Sequence, residues 1–149
     1  RLEQAVARSG LDNFRLLPFQ PFHRVNEMYA VSDLCVAPLR RGFSYDTVPS
    51  KIYTAMAAGR AVIACAEDDT ETARLLRDAS AGTCVTPESS AALTAAIRAL
   101  RADPENAAEL GAAGRQWIEN HNSCNAVVSA YDRMIRDVGG DTPNDVGCS

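Results

Sequence analysis

The apolar positions begin at helical spacing, with Leu2, Ala5 and Val6 sharing a face that Gly10 closes. Residues 14–17, FRLL, then read as a strand ended by Pro18, and residues 25–31 as a short helix with Val25, Met28 and Tyr29 on one side. A continuous apolar run, LCVA, marks a strand over residues 33–37 that Pro38 stops. Strands without polar alternation suit a parallel sheet covered on both faces.

Residues 38–49, PLRRGFSYDTVP, form a loop of about a dozen residues, and loops of that length in a compact α/β domain are usually functional. Ser50 reads as the N-cap of a helix whose stripe is Ile52, Ala55 and Met56 and whose end is Gly59. Strand Ala61–Cys65 follows, then the acidic run Glu67, Asp68 and Asp69, a helix over residues 70–78, and strand Gly82–Val85 before Pro87. Leu93, Ile97 and Leu100 define the next helix, and Pro104 opens another that runs to about Asn120. Ser123 caps a last helix carrying Val127, Val128, Tyr131, Ile135 and Val138, and after Gly139 the segment DTPNDVGCS lacks periodicity and reads as a frayed tail. Four strands, each followed by a helix, with two extra helices at the end, predict an open, doubly wound α/β sheet of Rossmann-like type.

Composition narrows the function. The 149 residues, 46% apolar and 23% charged, suit one globular domain, and no apolar run reaches the roughly 18 to 20 residues that cross a bilayer. The opening RLEQAVARSG is amphipathic and polar, unlike a secretory signal, which points to a soluble cytoplasmic protein. A net charge of −4 with scattered basic residues argues against a nucleic-acid stripe. The five cysteines, at 35, 65, 84, 124 and 148, share no short spacing, which disfavours a zinc site or disulfide framework. Cys35, Cys65 and Cys84 sit in β-like runs as small apolar residues.

Open parallel sheets bind ligands at the carboxyl ends of their strands. There the loop over residues 38–51 is the strongest candidate, because it ends at a helix start where unpaired N–H groups and the dipole favour an anion. Lys51 is the sole lysine among fifteen basic residues, and it stands where the dipole alone would prefer a carboxylate. A bound phosphate would offset that charge, and a solvated helix end is the plain alternative. Arg40 and Arg41 before Gly42 can clamp a phosphate or a sugar carboxylate, or form a solvated basic turn. Asp46 can meet sugar hydroxyls or be a turn residue. The run Glu67, Asp68 and Asp69 could ligate a metal, but it precedes a helix, where acids are favoured for the dipole alone. Of the two histidines, His121 reads as surface, and His23, after QPF, is open to a ligand contact. The chain lacks the G-x-S-x-G, Walker and G-x-G-x-x-G patterns, so hydrolase-elbow, P-loop and dinucleotide readings lose their glycines.

The runs VNEMYAVSDLCVAPL, VPSKIYTAMAAGRAVIA, ETARLLRDASAGTCVTPESSAALTAAIRAL and AAGRQWIEN resemble the C-terminal half of glycosyltransferase family 4, the retaining enzymes of GT-B fold. They are most similar to members that transfer aminosugars in bacterial polysaccharide synthesis, where a P-S-K-x-x-x-x-x-A-A-G segment replaces an acidic one. The likeness runs from about Leu11 to Tyr131. It implies that residues 1–138 are part of a Rossmann-like domain binding a nucleoside diphosphate sugar, and that residues 139–149 are a flexible tail. It further implies two strand-helix units before Arg1 and a separate acceptor domain, neither contained in this sequence, so the chain alone should be inactive. An open sheet edge would then favour association with a second copy.

Carried over by residue, the resemblance places Ser50 and Lys51 at the diphosphate and Phe19 and Gln20 along the base; Arg40, Arg41, Gly42, Pro49 and Ile52, on the same loop and helix start, complete the expected donor-binding set. The family's pair of glutamates falls on Asp46, which keeps an acid for the donor sugar, and on Thr54, which does not keep one for the ribose. Lys51 and Asp46 are the implied catalytic residues. No metal or other cofactor is required if backbone N–H groups and Lys51 supply the positive field, and the whole enzyme would work at the cytoplasmic face of the inner membrane. Two rivals remain: a non-catalytic module with the same fold, favoured by Thr54, and a phospho-receiver domain, disfavoured because the acidic cluster follows the third visible strand and not the first.

Overall fold

The computed structural model describes residues 2–42 and 48–139, in two units, Arg1–Val31 and Ser32–Ser149. In the first unit α1 spans Leu2–Ser9, and a single 3-10 turn at Phe22–Arg24 leads into α2, Val25–Ala30. Arg24 pairs with Glu27 across the start of α2 at 2.9 Å. The strand expected over residues 14–17 does not form. Among the described residues the sheet has three strands, all in the second unit, and Phe14, Leu16 and Leu17 are exposed. An extended segment becomes a strand only through a neighbour that takes its N–H and C=O groups, and an apolar run of this length carries no information about that neighbour.

The second unit runs β1 (Leu34–Pro38), α3 (Ser50–Ala57), β2 (Ala61–Cys65), α4 (Glu71–Asp78), β3 (Gly82–Val85), α5 (Ser90–Ala102), α6 (Pro104–His121) and α7 (Cys124–Gly139). The strands lie in the order β1-β2-β3, all parallel, with Leu34 opposite Ala61 and Val62 opposite Gly82. All five residues of β2 are buried, which is why its sequence, AVIAC, shows no polar alternation.

Side chains alternate along a strand, so this register puts Leu34, Ala61, Ile63 and Val85 on one face. They meet Leu93, Ile97 and Leu100 of α5 there. Both crossovers step the same way across the sheet, so their right-handedness sets α3 and α4 together on the other face. The α/β sandwich is therefore wound on both faces, with Ile52, Met56, Ile63 and Leu76 among its fully buried side chains.

Helix α6 passes close to the turn between α3 and β2. A Cβ on Gly111 would stand 2.2 Å from the carbonyl oxygen of Gly59, so only glycine lets the two backbones approach this far. Thr70, Ser89, Asp103 and Ser123 each accept a hydrogen bond from an N–H in the first turn of the helix they precede, at 3.0–3.3 Å. Helix α3 differs. Ser50 is its first residue and not its cap; Pro49 takes the cap position and offers no side-chain acceptor. Apolar spacing located the stripe correctly but could not fix which of two adjacent residues leaves helical geometry.

Cys65 is buried, whereas Cys35 and Cys84 are only half-buried. The apolar face of α7 is exposed at Val128, Tyr131, Ile135 and Val138. Gly139 ends that helix, and the tail beyond it lies outside the described residues.

Candidate functional site

Parallel pairing brings the ends of β1 and β2 level, with Pro38 opposite Cys65. The chain then leaves the sheet from both strands on the same side, and two hydrogen bonds join the departing segments. Leu39 donates its N–H to the carbonyl of Cys65 at 3.2 Å, and Gly42 donates its N–H to Oε1 of Glu67 at 2.8 Å. Gly42 has φ +78°, a conformation that disfavours any side chain at the turn following Arg40 and Arg41. Both arginines are exposed.

The second element of the site is the start of α3. A helix leaves its first N–H groups without intrahelical partners, and among the described residues no side chain caps them here. The N–H of Ile52 turns back to the carbonyl of Pro49 at 2.9 Å, which leaves those of Ser50 and Lys51 as the groups the helix does not use. Ser50 and Lys51 are exposed and Pro49 is half-buried. The side chain of Ile52 is fully buried in the core, so only backbone at this residue can face a ligand. Thr54 is half-buried one turn on, and its hydroxyl donates to the carbonyl of Ser50 at 3.1 Å.

Arg40, Arg41, Gly42, Pro49, Ser50, Lys51, Ile52 and Thr54 thus belong to one unit, on the loop and helix that follow β1. Phe19 and Gln20 belong to the other. Phe19 is exposed there, and Gln20 donates to the carbonyl of Pro18 at 2.9 Å. Asp46 lies outside the described residues. His23 is exposed in the 3-10 turn, while His121 stacks on Trp117 at 4.5 Å between ring centroids and meets its carbonyl at 2.8 Å.

The acidic run after β2 is engaged with the protein. Glu67 meets Gly42, and Arg77 donates to the carbonyl of Asp68 at 3.1 Å. The carbonyl of Glu67 accepts from Thr70, by its hydroxyl at 2.7 Å and its N–H at 3.3 Å, so this corner is pinned by the residue that caps α4. Sequence reasoning treated Glu67 as a dipole partner or metal ligand and missed its contact with Gly42.

A groove of about 730 Å³ lies at the opposite ends of the strands, lined by Asp33, Leu34, Gly59, Arg60, Leu100 and Arg101. It sits where β1 and β2 begin, whereas ligands of open parallel sheets gather where strands end. The start of α3 therefore has the stronger chemical claim.

Comparison with known proteins bears on the family and the fold. Residues 1–103 match the family described as glycosyl transferases group 1. A protein of Escherichia coli K12 assigned as the colanic acid biosynthesis glycosyl transferase WcaI is 31% identical over 99 residues, which are 66% of this chain and 24% of that protein. The structure of sucrose-phosphate synthase from Thermosynechococcus elongatus superposes with a TM-score of 0.75 at 25% identity, over 93% of this chain and 34% of that one. The chain thus spans about a quarter and about a third of the lengths of these two relatives. The three-stranded parallel sheet with its helices matches the Rossmann-like GT-B fold of the synthase. Since the family match extends over more than half of the chain, through both units as far as the residue that caps α6, the protein belongs to the glycosyl transferases group 1 family.

Proposed function

We propose that this chain is the donor-binding part of a retaining glycosyltransferase, which moves a sugar from a nucleoside diphosphate to a lipid-linked or saccharide acceptor. The observation that carries this reading is the start of α3, whose cap residue Pro49 offers no side-chain acceptor and which bears the chain's single lysine, at the end of the sheet where ligands gather. In sugar transfer the diphosphate departs with growing negative charge. The N–H groups of Ser50 and Lys51 and the ammonium of Lys51 would stabilise that charge from fixed positions. Arg40 and Arg41 extend the same positive field along the loop, so in this reading no metal is required.

The aminosugar type is favoured by the P-S-K segment, and a role in polysaccharide synthesis by the relative assigned to colanic acid biosynthesis. Polysaccharide synthesis at the cytoplasmic face of the inner membrane fits the same reading, and among the described residues no helix is long and apolar enough to cross a membrane. Sugar transfer would need the acceptor half of the enzyme, so residues 1–149 alone should turn over no donor.

Binding of nucleoside diphosphates to the full-length protein, followed by isothermal calorimetry beside the free nucleosides, tests the reading. Diphosphates should bind more tightly than nucleosides, and sugar transfer to an added acceptor should follow. Equal binding of both would remove the diphosphate from α3. Binding without transfer would support the second reading, a non-catalytic module. Thr54 favours that module, because its hydroxyl bonds within the helix at the position where the resemblance expects a ribose-binding carboxylate.

A further inference from the structure

Glu67 and Gly42 are separated by 25 positions in sequence, yet the carboxylate of the first accepts the N–H of the second at 2.8 Å. Their approach follows from the pairing of β1 with β2, which brings the two exits together. Gly42 directly follows Arg40 and Arg41 and has a φ of +78°. Glu67 is half-buried, and its carbonyl is fixed by Thr70, itself 1% exposed, so the carboxylate projects from a rigid corner of the fold. A charged acceptor strengthens the bond beyond a neutral one.

We propose that Glu67 is a positioning residue for the donor site: it holds the Arg40–Arg41–Gly42 turn against the end of β2, and thereby presets two cations for a diphosphate. The role rests on the donor-site reading of α3 given above. Glu67 does not itself touch the ligand. An acid within an anion site would otherwise repel a phosphate, but one oxygen of this carboxylate is engaged by a backbone N–H. The arginines gain because the turn is ordered before the ligand arrives, and the ordering entropy is not charged against binding.

The length of the side chain and its ability to accept make the role separable from general stability. Glutamine keeps both the reach and an acceptor oxygen, aspartate keeps the charge but loses the reach, and alanine loses both. In the full-length protein, uridine diphosphate, guanosine diphosphate and inorganic pyrophosphate serve as probes by calorimetry, with uridine and guanosine as controls. For the best-bound probe, Glu67→Ala and Glu67→Asp should weaken binding by about fivefold to thirtyfold, of the order expected for one lost charge-assisted bond, and Glu67→Gln should restore most of it. Nucleoside binding should stay within about twofold of wild type throughout. Amide hydrogen exchange at Gly42 in the ligand-free protein should speed up in the alanine and aspartate variants and remain slow in the glutamine variant. If the alanine variant fails to fold, the glutamine and aspartate variants still decide the outcome.

Unchanged or tighter diphosphate binding in Glu67→Asp, with faster exchange at Gly42, would overturn the role. Tightening would mean that the carboxylate occupies a place the ligand needs. If the wild-type protein binds none of the three probes, the donor-site reading fails and this role falls with it. Normal wild-type binding with no difference among the variants overturns the role of Glu67 alone.

Discussion

The hydroxyl of Thr54 donates to the carbonyl of Ser50, one turn back along α3, at 3.1 Å. Such a bond to the helix's own backbone occupies the only proton the Thr54 side chain can donate and leaves a short acceptor at the site. If the ribose of a donor lies against this turn, Thr54→Glu in the full-length protein should tighten nucleoside diphosphate by about threefold to thirtyfold, since a carboxylate can accept from both vicinal hydroxyls. A 2′,3′-dideoxy analogue should not share the gain. Calorimetry showing no change for either ligand would detach this helix turn from the ribose.

Thr72 is buried in the first turn of α4, and its hydroxyl oxygen has no hydrogen-bond partner among the described residues. Valine matches its shape without the polar atom, so Thr72→Val should stabilise the fold by about 1 kcal/mol. Thr70 supplies the contrast, because its hydroxyl donates to the carbonyl of Glu67 at 2.7 Å and accepts from the N–H of Ala73 at 3.3 Å. Thr70→Val should therefore cost roughly 1 to 2 kcal/mol through the lost cap. Urea midpoints that move in opposite directions, with unchanged slope, would bear out both; a fall for Thr72→Val would show that its hydroxyl is bonded after all.

These two threonines also mark what the sequence could reveal. A cap or a first-turn proline acts on the turn that follows it, so Thr70, Ser123 and Pro104 mark the starts of their helices locally, and β2 is legible because burial on both faces leaves it wholly apolar. The strand expected over residues 14–17 has no such self-contained signature, because a strand is defined by a partner that the segment does not encode. Ser50 and Pro49 lie one residue apart, below the resolution of apolar spacing. The bond between Glu67 and Gly42 was hidden for another reason: only the pairing of β1 with β2 makes distant loops neighbours. The exits of the strands were legible as neighbours because parallel topology sets their side of the sheet, while the bonds between them depend on how each loop folds. Asp46, the acid carried over for the donor sugar, lies outside the described residues.

Burial pushes the Cys84 thiol up from an ordinary value of 9.0 to about 11, with the carboxylate of Asp68 adding to the shift and Arg77 opposing it. Burial raises Cys65 as well, and it raises Cys35 against the pull of Arg60. A thiol is neutral when protonated, so a raised folded-state value means that the folded state keeps its proton longer than the unfolded chain. The resulting stability is fully present below the unfolded value and is lost as pH rises through the folded one, which for Cys84 is the window from 9.0 to about 11. Urea unfolding followed across that window should show falling stability, and Cys84→Ala should make the fall shallower. An identical slope in the variant would place the alkaline loss on other groups.

Lys51 stands in the first turn of α3, where the helix dipole favours an anion and the turn itself holds no acidic residue. Two effects of opposite sign follow from removing its charge. Without ligand, Lys51→Ala relieves an unfavourable interaction with the helix start, and because the side chain is exposed the gain should fall near the lower end of about 0.3 to 1 kcal/mol. With ligand, the same change removes a charge-assisted hydrogen bond to a phosphate oxygen worth roughly 1.5 to 3 kcal/mol, or about a tenfold to hundredfold loss in affinity. Free nucleoside makes no such bond and should bind the variant as it binds wild type. Calorimetry with nucleoside diphosphate and nucleoside, together with urea unfolding of the ligand-free protein, separates the two terms. Weaker diphosphate binding with equal or greater ligand-free stability would place Lys51 at the phosphates. Equal losses for both ligands would indicate a disturbed pocket, and unchanged binding of both would return Lys51 to the solvent.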